Sequence, residues 1–110
     1  MNKVIENGFV AVLYSPGYGA GWSTWNYEDG LDEILLFHPA LVEMVRNNRQ
    51  NEIDTDWLVK NLGEEFRNVY CGGAIGLEIE WLPEGTIFRV EEYDGNESIV
   101  IISDKTTYKA

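Results

Sequence analysis

The first half of the chain carries apolar residues in two different periods. A dense apolar run, "FVAVLY" at residues 9–14, lies between a glycine and a proline, which predicts a largely buried strand. Beyond residue 30 the spacing becomes helical, because apolar positions recur at i, i+3 and i+4. Pro39 suits the first turn of a helix, and His38 before it marks a helix boundary. The pattern predicts helices in "DGLDEILLF", "HPALVEMVRNNR" and "DTDWLVKNLGEEF".

The second half changes to the period of two that is typical of strands. "GLEIEWLP", "TIFRVEEY" and "ESIVIIS" are separated by the turn signals "PEG" and "DGN", so we expect an antiparallel meander. "NVYCGGAIG" before them favours a further short strand at residues 69–71, followed by a glycine-rich bend. Together, the predicted helices and strands indicate a single α+β domain over residues 1–110. We expect an antiparallel sheet of about four or five strands, with about three helices packed on one face.

The charge of the chain is strongly one-sided. Nineteen acidic residues against eight basic ones give a net charge of −11, and residues 4–45 contain no lysine or arginine. Binding along a nucleic-acid phosphate backbone needs the opposite balance, so we expect no direct contact of that kind. The acidity fits solubility, mimicry of nucleic acid, or docking on a basic protein surface. For docking, the candidate acidic face consists of Glu28, Asp29, Asp32, Glu33 and Glu43.

Cysteine usage and the first residues bear on the compartment. Cys71 is the single cysteine, which excludes an internal disulfide and the multi-cysteine zinc patterns and fits a reducing cytoplasm. The first residues hold a short apolar run that is broken by Glu6, Asn7 and Gly8. That run is too short and too polar for a signal peptide or a membrane span. We therefore expect a cytoplasmic protein without a membrane contact.

The stretch "SPGYGAGWSTWN", residues 15–26, is the strongest candidate for a ligand site. It follows the first strand and contains no charged residue. Glycines at alternate positions allow close backbone approaches, and consecutive amides in such a loop can form an anion-binding nest. The aromatic side chains offer flat faces for a base. The alternative is that Trp22 and Trp25 are core anchors and that the glycines only let the chain turn. The candidate ligand-binding residues are Ser15, Gly17, Tyr18, Gly19, Gly21, Trp22, Ser23, Trp25 and Asn26.

A nucleotide in this loop also needs positive charge from elsewhere in the chain. The stretch matches neither the dinucleotide fingerprint nor the phosphate loop, and it contains no lysine. Arg67 and Arg89 are the candidate counter-charges. For Arg89 the alternative is a cross-strand ion pair with Glu80. If the strand after the second glycine bend pairs with the first strand, the two bends meet as the walls of one cleft.

Catalysis has little support in the sequence. His38 stands before a proline, where helix capping explains it, and no second histidine completes a metal site. Nothing requires Cys71 to contact His38 as a nucleophile pair. Carboxylates could hold Mg²⁺ for hydrolysis, with Asp94 and either Glu78 or Glu80 as candidates, but their spacing is also that of a solvated strand face. A small hydrolase is therefore a second alternative, and we expect no bound cofactor or metal.

Three segments, "YSPGYGAGWSTWN", "LLFHPALVEMV" and "GLEIEWLPEGTIFRVEEYDGNESI", together resemble a group of small proteins encoded by phages and prophages. The resemblance covers most of the chain, and "GYGAGWSTWN" is its most specific part. It implies a phage setting, in which small proteins counter host defence by binding, and it transfers no catalytic residue. The resulting hypothesis is a protein of the host cytoplasm that sequesters a small nucleotide-like signalling ligand at the glycine and aromatic loop, with a homo-oligomer as one way to enclose it. The alternative is an acidic inhibitor that docks on a basic host defence protein.

Overall fold

The computed structural model describes residues 2–27, 30–101 and 108–110. None of the helices in these ranges has the length and apolarity needed to cross a membrane. The α-helices are α1 Asp32–Phe37, α2 Pro39–Arg46 and α3 Thr55–Leu62. The strands are β1 Ile5–Glu6, β2 Phe9–Tyr14, β3 Glu78–Pro83, β4 Ile87–Tyr93, β5 Asn96–Val100 and β6 Tyr108–Lys109. Single turns of 3-10 helix lie at Ser23–Trp25, Gln50–Glu52, Glu64–Phe66 and Ala74–Gly76.

The described strands form two antiparallel sheets of three strands each, in the orders β1-β2-β3 and β5-β4-β6. The α+β class with antiparallel pairing is confirmed, whereas the single sheet of about four or five strands is wrong. β3 does not continue into a meander with β4. It pairs along its full length with β2, from Phe9 opposite Pro83 to Tyr14 opposite Glu78. The physical reason is that β2 is apolar on both faces and therefore needs a central place, with strands on both sides and a packed layer on each face.

β2 separates two apolar clusters. Ala11 and Leu13 belong to a cluster that also contains side chains of α1, α2 and α3. Val10 and Val12, which alternate with them along the strand, belong to a second cluster with Phe88 of β4. All four β2 side chains are fully buried. Because each fully buried valine or leucine contributes roughly 1.5–3 kcal/mol, β2 is the strand on which both layers depend.

The helices begin and end at local signals. At the start of α2, the Nδ1 atom of His38 accepts the Ala40 N–H at 3.0 Å, as capping predicts. α3 ends at Gly63, whose φ of 137° takes the chain out of the helical region. The predicted helix over residues 38–49 was too long at its end, because residues 47–49 leave α2 in a turn. In the third helix, Gly63 is also unfavourable in sequence terms and indicates a stop or a bend, and Glu64–Phe66 beyond it form a separate 3-10 turn.

No strand forms at residues 69–71, so that prediction is wrong. The Tyr70 backbone is held by the side chain of Asn26 instead. The Asn26 Oδ1 atom accepts the Tyr70 N–H at 2.8 Å, and its Nδ2 donates to the Tyr70 carbonyl at 3.0 Å. These two bonds occupy the groups that a neighbouring strand would use. The last predicted strand, "ESIVIIS", corresponds to β5, and its residues 102 and 103 lie outside the described part of the chain.

Candidate functional site

The antiparallel pairing of β2 with β3 brings the two glycine bends together. The loop at residues 15–26 leaves β2 at the end where the bend at residues 72–76 enters β3. A Cβ atom on Gly73 would overlap the carbonyl group of Gly21, so the two backbones pack more closely than side chains would allow. The strand after the second glycine bend therefore does pair with β2, and the two bends form one surface.

The turn between β4 and β5 adds a third segment to this surface. The Gly19 N–H donates to the Asp94 carbonyl at 2.7 Å. Asp94 and Gly95 have φ angles of 50° and 82°, which is the pattern of a type I′ hairpin turn. A Cβ atom on Gly95 would overlap the backbone of Ala20. Three turns thus pack backbone against backbone at one end of the molecule.

A buried carboxylate, that of Glu97 in β5, holds the loop in place. Glu97 is only 1% exposed. Its Oε1 atom accepts the Ser15 N–H at 2.9 Å, and its Oε2 atom accepts the Trp22 N–H at 2.7 Å. Oε2 also accepts the N–H and the hydroxyl of Thr24, at 3.1 and 2.5 Å. Three amides and a hydroxyl therefore satisfy one buried negative charge, which is what makes its burial tolerable.

The expected anion-binding nest consists of the amides of residues 17–21, and the protein itself uses one of these amides and the amides on either side of them. The amides of Ser15, Trp22 and Thr24 are bound to Glu97, and the Gly19 amide is bound to a backbone carbonyl. Sequence reasoning missed Glu97, although a signal existed. Glu97 and Ile99 lie on the same face of β5 by alternation, and a carboxylate in line with a core-facing residue needs partners inside the protein.

The two tryptophans of the loop have different places. Trp22 is fully buried, and its Nε1–H donates to the Leu35 carbonyl at 2.8 Å, so it offers no face on which a base could stack. Trp25 is 41% exposed, and its ring centroid lies 5.4 Å from that of Tyr70. A Cβ atom on Gly21 would come within 2.6 Å of the Trp25 ring, so the glycine provides the space that this ring covers. One tryptophan anchors the core and the other forms part of the surface.

The polar candidates of the loop are buried. Ser15 is 2% exposed, and its N–H is bound to Glu97. Asn26 is 7% exposed and bridges to the backbone of Tyr70. Ser23 is 1% exposed, and its hydroxyl has no hydrogen-bond partner among the residues that the structure describes. All three residues are therefore mainly part of the interior.

The accessible part of the site is an open depression of about 430 Å³. We call it the aromatic depression; it is lined by Tyr18, Gly19, Trp25 and Asp94. Tyr18 is 74% exposed and stands on the loop, while Asp94 is exposed on the hairpin turn. Within the described ranges, no hydrogen bond or ion pair engages the Asp94 carboxylate. The depression therefore presents two aromatic rings and one available negative charge.

A smaller groove shares Tyr18 and Gly19 with the aromatic depression. It has a volume of about 250 Å³ and is lined mainly by the backbone of the two glycine bends. Its one large apolar side chain besides Tyr18 is Ile75, which is 70% exposed. We call it the glycine groove, and its lining residues are Ser15, Gly17, Tyr18, Gly19, Ala20, Gly72, Gly73, Ile75 and Gly76.

The two candidate counter-charges line neither of these depressions. Arg67 donates two hydrogen bonds to Glu64, at 2.8 and 2.7 Å, and these bonds raise the pKa of the arginine. Arg89 donates through Nε to Glu91 at 2.9 Å. The predicted pair of Arg89 with Glu80 is wrong, because Arg89 is on β4 and Glu80 is on β3, in the other sheet.

The predicted acidic face is described only in part. Glu28 and Asp29 lie outside the described residues. Asp32 is half-buried and accepts a hydrogen bond from the tyrosine hydroxyl of β6 at 2.5 Å. Glu33 on α1 and Glu43 on α2 are exposed. Among the described members of the set, these two carboxylates are exposed, and Glu43 also accepts a hydrogen bond from the Asn47 amide at 3.1 Å.

The residues considered for catalysis make structural contacts or belong to different elements. His38 is engaged in the cap of α2, and burial lowers its pKa. The Cys71 sulfur lies 3.8 Å from a threonine hydroxyl of α3, and burial raises the pKa of the thiol. Glu78 and Glu80 are on β3, whereas Asp94 is in a turn of the other sheet. In the part of the chain that the structure describes, no group of three or more histidine, cysteine, aspartate or glutamate side chains could hold a metal ion.

Comparisons with protein-family models, with curated proteins and with solved structures find no match to this chain.

Proposed function

We propose that the protein is a binding protein whose aromatic depression docks on a basic surface of another protein. One observation carries the proposal: two exposed rings, Tyr18 and Trp25, and the exposed carboxylate of Asp94 surround a depression on a loop that Glu97 holds from inside. Tyrosine and tryptophan supply large contact areas at a small cost in side-chain entropy and are enriched at protein interfaces. A loop that is already ordered loses little freedom on binding.

The charge of the chain supports a basic partner. The net charge is −11, so a basic surface is attracted over long range and meets complementary charge on contact. The arginines do not create a locally positive surface, because each of the four forms an ion pair with a glutamate. The pairs are Arg46–Glu6, Arg49–Glu52, Arg67–Glu64 and Arg89–Glu91.

The phage setting that the sequence resemblance implies suggests a role for such binding. A host defence protein that acts on nucleic acid carries a basic surface, since it must neutralise phosphates. An acidic protein that covers this surface would block access of the nucleic acid. In this role the protein works in the host cytoplasm and needs neither a cofactor nor a catalytic residue.

Selection from a random peptide library tests the proposal without a known partner. We expect the wild-type protein to enrich peptides that are rich in arginine and lysine, because their side chains match the rings and the negative charge. The Tyr18→Ser/Trp25→Ser double variant should lose this enrichment. The Glu33→Lys/Glu43→Lys variant retains both rings and serves as the control for charge alone. Enrichment of neutral or acidic peptides, or basic enrichment that survives the loss of both rings, would overturn the proposal.

A second candidate, the binding of a small nucleotide-like ligand, is supported by the glycine groove. Backbone groups of two glycine bends line this groove, and Tyr18 stands at its border with a ring open to a base. Three observations argue against nucleotide binding. Trp22 is buried, and amides of the loop are already bound to Glu97. Arg67 and Arg89 line neither depression.

A thermal-shift screen separates this candidate from the first. The probes are cyclic di- and trinucleotides, ADP-ribose derivatives and ordinary nucleotides. Binding would raise the free energy of unfolding by about 2.7 kcal/mol when the ligand stands at 100 times its dissociation constant. A rise of the melting temperature that is absent in Tyr18→Ser would support nucleotide binding. A flat screen with protein that retains its fold would exclude it for these probes.

A further inference from the structure

The aromatic depression has the composition of a site for one cationic side chain. Its walls are the two rings of Tyr18 and Trp25, its remaining lining is Gly19, and Asp94 supplies a carboxylate. A cation over an aromatic face is attracted by the ring quadrupole, and it gains further when a carboxylate lies beside it. Tyr18 is 74% exposed, so its ring is open to a side chain that arrives from outside.

The turn that carries the Asp94 carboxylate is tied to the loop through the backbone. Asp94 occupies the left-handed region with φ 50°, in a turn that Glu92 closes by accepting the Gly95 N–H at 2.8 Å. The Asp94 carbonyl in turn accepts the Gly19 N–H at 2.7 Å, which ties the turn to the loop that carries Tyr18. The backbone segments that carry Asp94 and Tyr18 are therefore joined before a partner arrives.

We infer that the aromatic depression accepts an arginine side chain of the partner, with the guanidinium against Tyr18 and Trp25 and its N–H groups donating to Asp94. Arginine fits better than lysine for two reasons. The planar guanidinium stacks on ring faces and donates in a fork to a carboxylate, and it is more weakly hydrated than an ammonium group. This inference rests on the proposed function and specifies the side chain that the basic partner presents.

Titration with short peptides, followed by NMR shifts of the ¹⁵N-labelled protein, tests the inference. The probes share the form acetyl-Lys-Gly-Xaa-Gly-Lys-amide, with arginine, lysine or citrulline at the central position. We expect the arginine peptide to bind roughly three- to fivefold more tightly than the lysine peptide, and the citrulline peptide, which keeps the shape without the charge, to bind most weakly.

Two variants with the same change in net charge locate the effect. Asp94→Asn is compatible with the left-handed backbone, which asparagine also adopts, and it should lower the affinity for the arginine peptide about threefold to fivefold. Asp56→Asn, on the exposed side of α3, should change the affinity by less than about twofold. Tyr18→Ser, which removes a largely exposed ring, should weaken the arginine peptide as well.

The outcomes separate the inference from the proposed function. The arginine site would be overturned if the arginine and lysine peptides bound with equal affinity and Asp94→Asn left the affinity for the arginine peptide unchanged. In that case the protein would still bind basic peptides, and the proposed function would stand. Failure of both basic peptides to bind the folded wild-type protein would overturn both. Stronger binding of the arginine peptide that Asp94→Asn and Tyr18→Ser each reduce, and Asp56→Asn does not, would support the arginine site.

Discussion

Glu97 is the residue on which the candidate site depends most. It joins β5 to a loop 82 positions earlier in the chain and gathers three amides and a hydroxyl around one carboxylate. A buried charge is strongly unfavourable without such partners, and the partners in turn become buried donors without the charge. The carboxylate and the loop are therefore mutually dependent.

Replacement of Glu97 by glutamine should test this dependence. The amide keeps the shape of the side chain, but its NH₂ group faces at least one N–H that needs an acceptor. We expect the free energy of unfolding to fall by about 2–4 kcal/mol, measured by urea denaturation. Glu92→Gln is the control on the same hairpin, because that exposed side chain accepts one hydrogen bond from the described residues, that of the Gly95 N–H, and its effect should be clearly smaller. Equal effects of the two replacements would contradict the role of Glu97.

At the scale of single residues, the sequence indicated the loop that lines the candidate site but not which of its side chains are buried and which are exposed. Trp22 and Trp25 come from one motif, and composition gives no means to tell the anchor from the surface ring. The difference arises from the 3-10 turn at Ser23–Trp25, which points one ring at α1 and leaves the other outside. The sequence analysis gave Glu97 no role, because its partners lie far away along the chain.

Two hairpins of the molecule have the same turn and different surroundings. Asn7 and Gly8 join β1 to β2 with φ angles of 53° and 82°, and Asp94 and Gly95 join β4 to β5 with 50° and 82°. A Cβ atom on Gly8 would meet nothing within 4 Å, whereas one on Gly95 would overlap the backbone of Ala20. Comparison of Gly8 with Gly95 therefore separates the effect of the backbone angle on the free energy of unfolding from the effect of close packing.

Alanine at each of these glycines should show the difference. Both Gly8→Ala and Gly95→Ala place a Cβ in the left-handed region, at a cost of roughly 1–2 kcal/mol. Gly95→Ala should cost about 1–3 kcal/mol more, because the hairpin turn must move away from the loop. Thermal or urea unfolding of both variants measures this. A Gly95→Ala variant no less stable than Gly8→Ala would show that the turn and the loop do not pack as described.

The cap of α2 should make stability depend on pH. The Nδ1 atom of His38 accepts the Ala40 N–H only when the imidazole is neutral, and burial lowers the pKa of His38 in the folded protein. As the pH falls, the unfolded chain therefore takes up this proton first. The stabilisation is complete above about pH 6.5, the ordinary pKa of histidine, and is lost as the pH falls through the lower pKa of the folded state.

His38→Asn separates this contribution from that of the many carboxylates. Asparagine can accept the same cap bond and does not titrate. The free energy of unfolding of the wild type relative to His38→Asn should decline between about pH 8 and pH 5, as followed by urea denaturation. A difference that stays constant with pH would show that His38 does not act as a neutral acceptor in the cap.

At the scale of elements, the sequence predicted which segments are strands better than which strands are neighbours. The "DGN" turn correctly joined β4 to β5. The alternation in β3 identified the segment as a strand, but a period of two does not say which strand lies beside it. β3 pairs with β2 because β2 is apolar on both faces and takes the central place in its sheet. This pairing depends on tertiary packing between segments about 65 residues apart, which a local pattern does not contain.

The whole molecule combines a strongly acidic charge with an exposed aromatic surface, and these two features should affect different rate constants of binding. Long-range attraction governs association, whereas packed rings govern dissociation. Glu33→Lys/Glu43→Lys should slow association with an arginine-rich peptide, and added salt should slow association of the wild type by roughly tenfold. Tyr18→Ser should mainly speed dissociation. Stopped-flow tryptophan fluorescence resolves both rates, and an association rate independent of salt would contradict steering by charge.

The most direct test of the aromatic depression as the binding surface is the behaviour of the four tryptophan indole N–H signals during titration with the arginine peptide. Trp25 lines the depression, whereas the Trp22 indole is buried and bound to the Leu35 carbonyl. We expect the Trp25 signal to shift in a saturable manner and the Trp22 signal to stay in place. Saturable binding that moves backbone signals near Glu33 and Glu43 and leaves Trp25 unchanged would contradict the assignment of the binding surface.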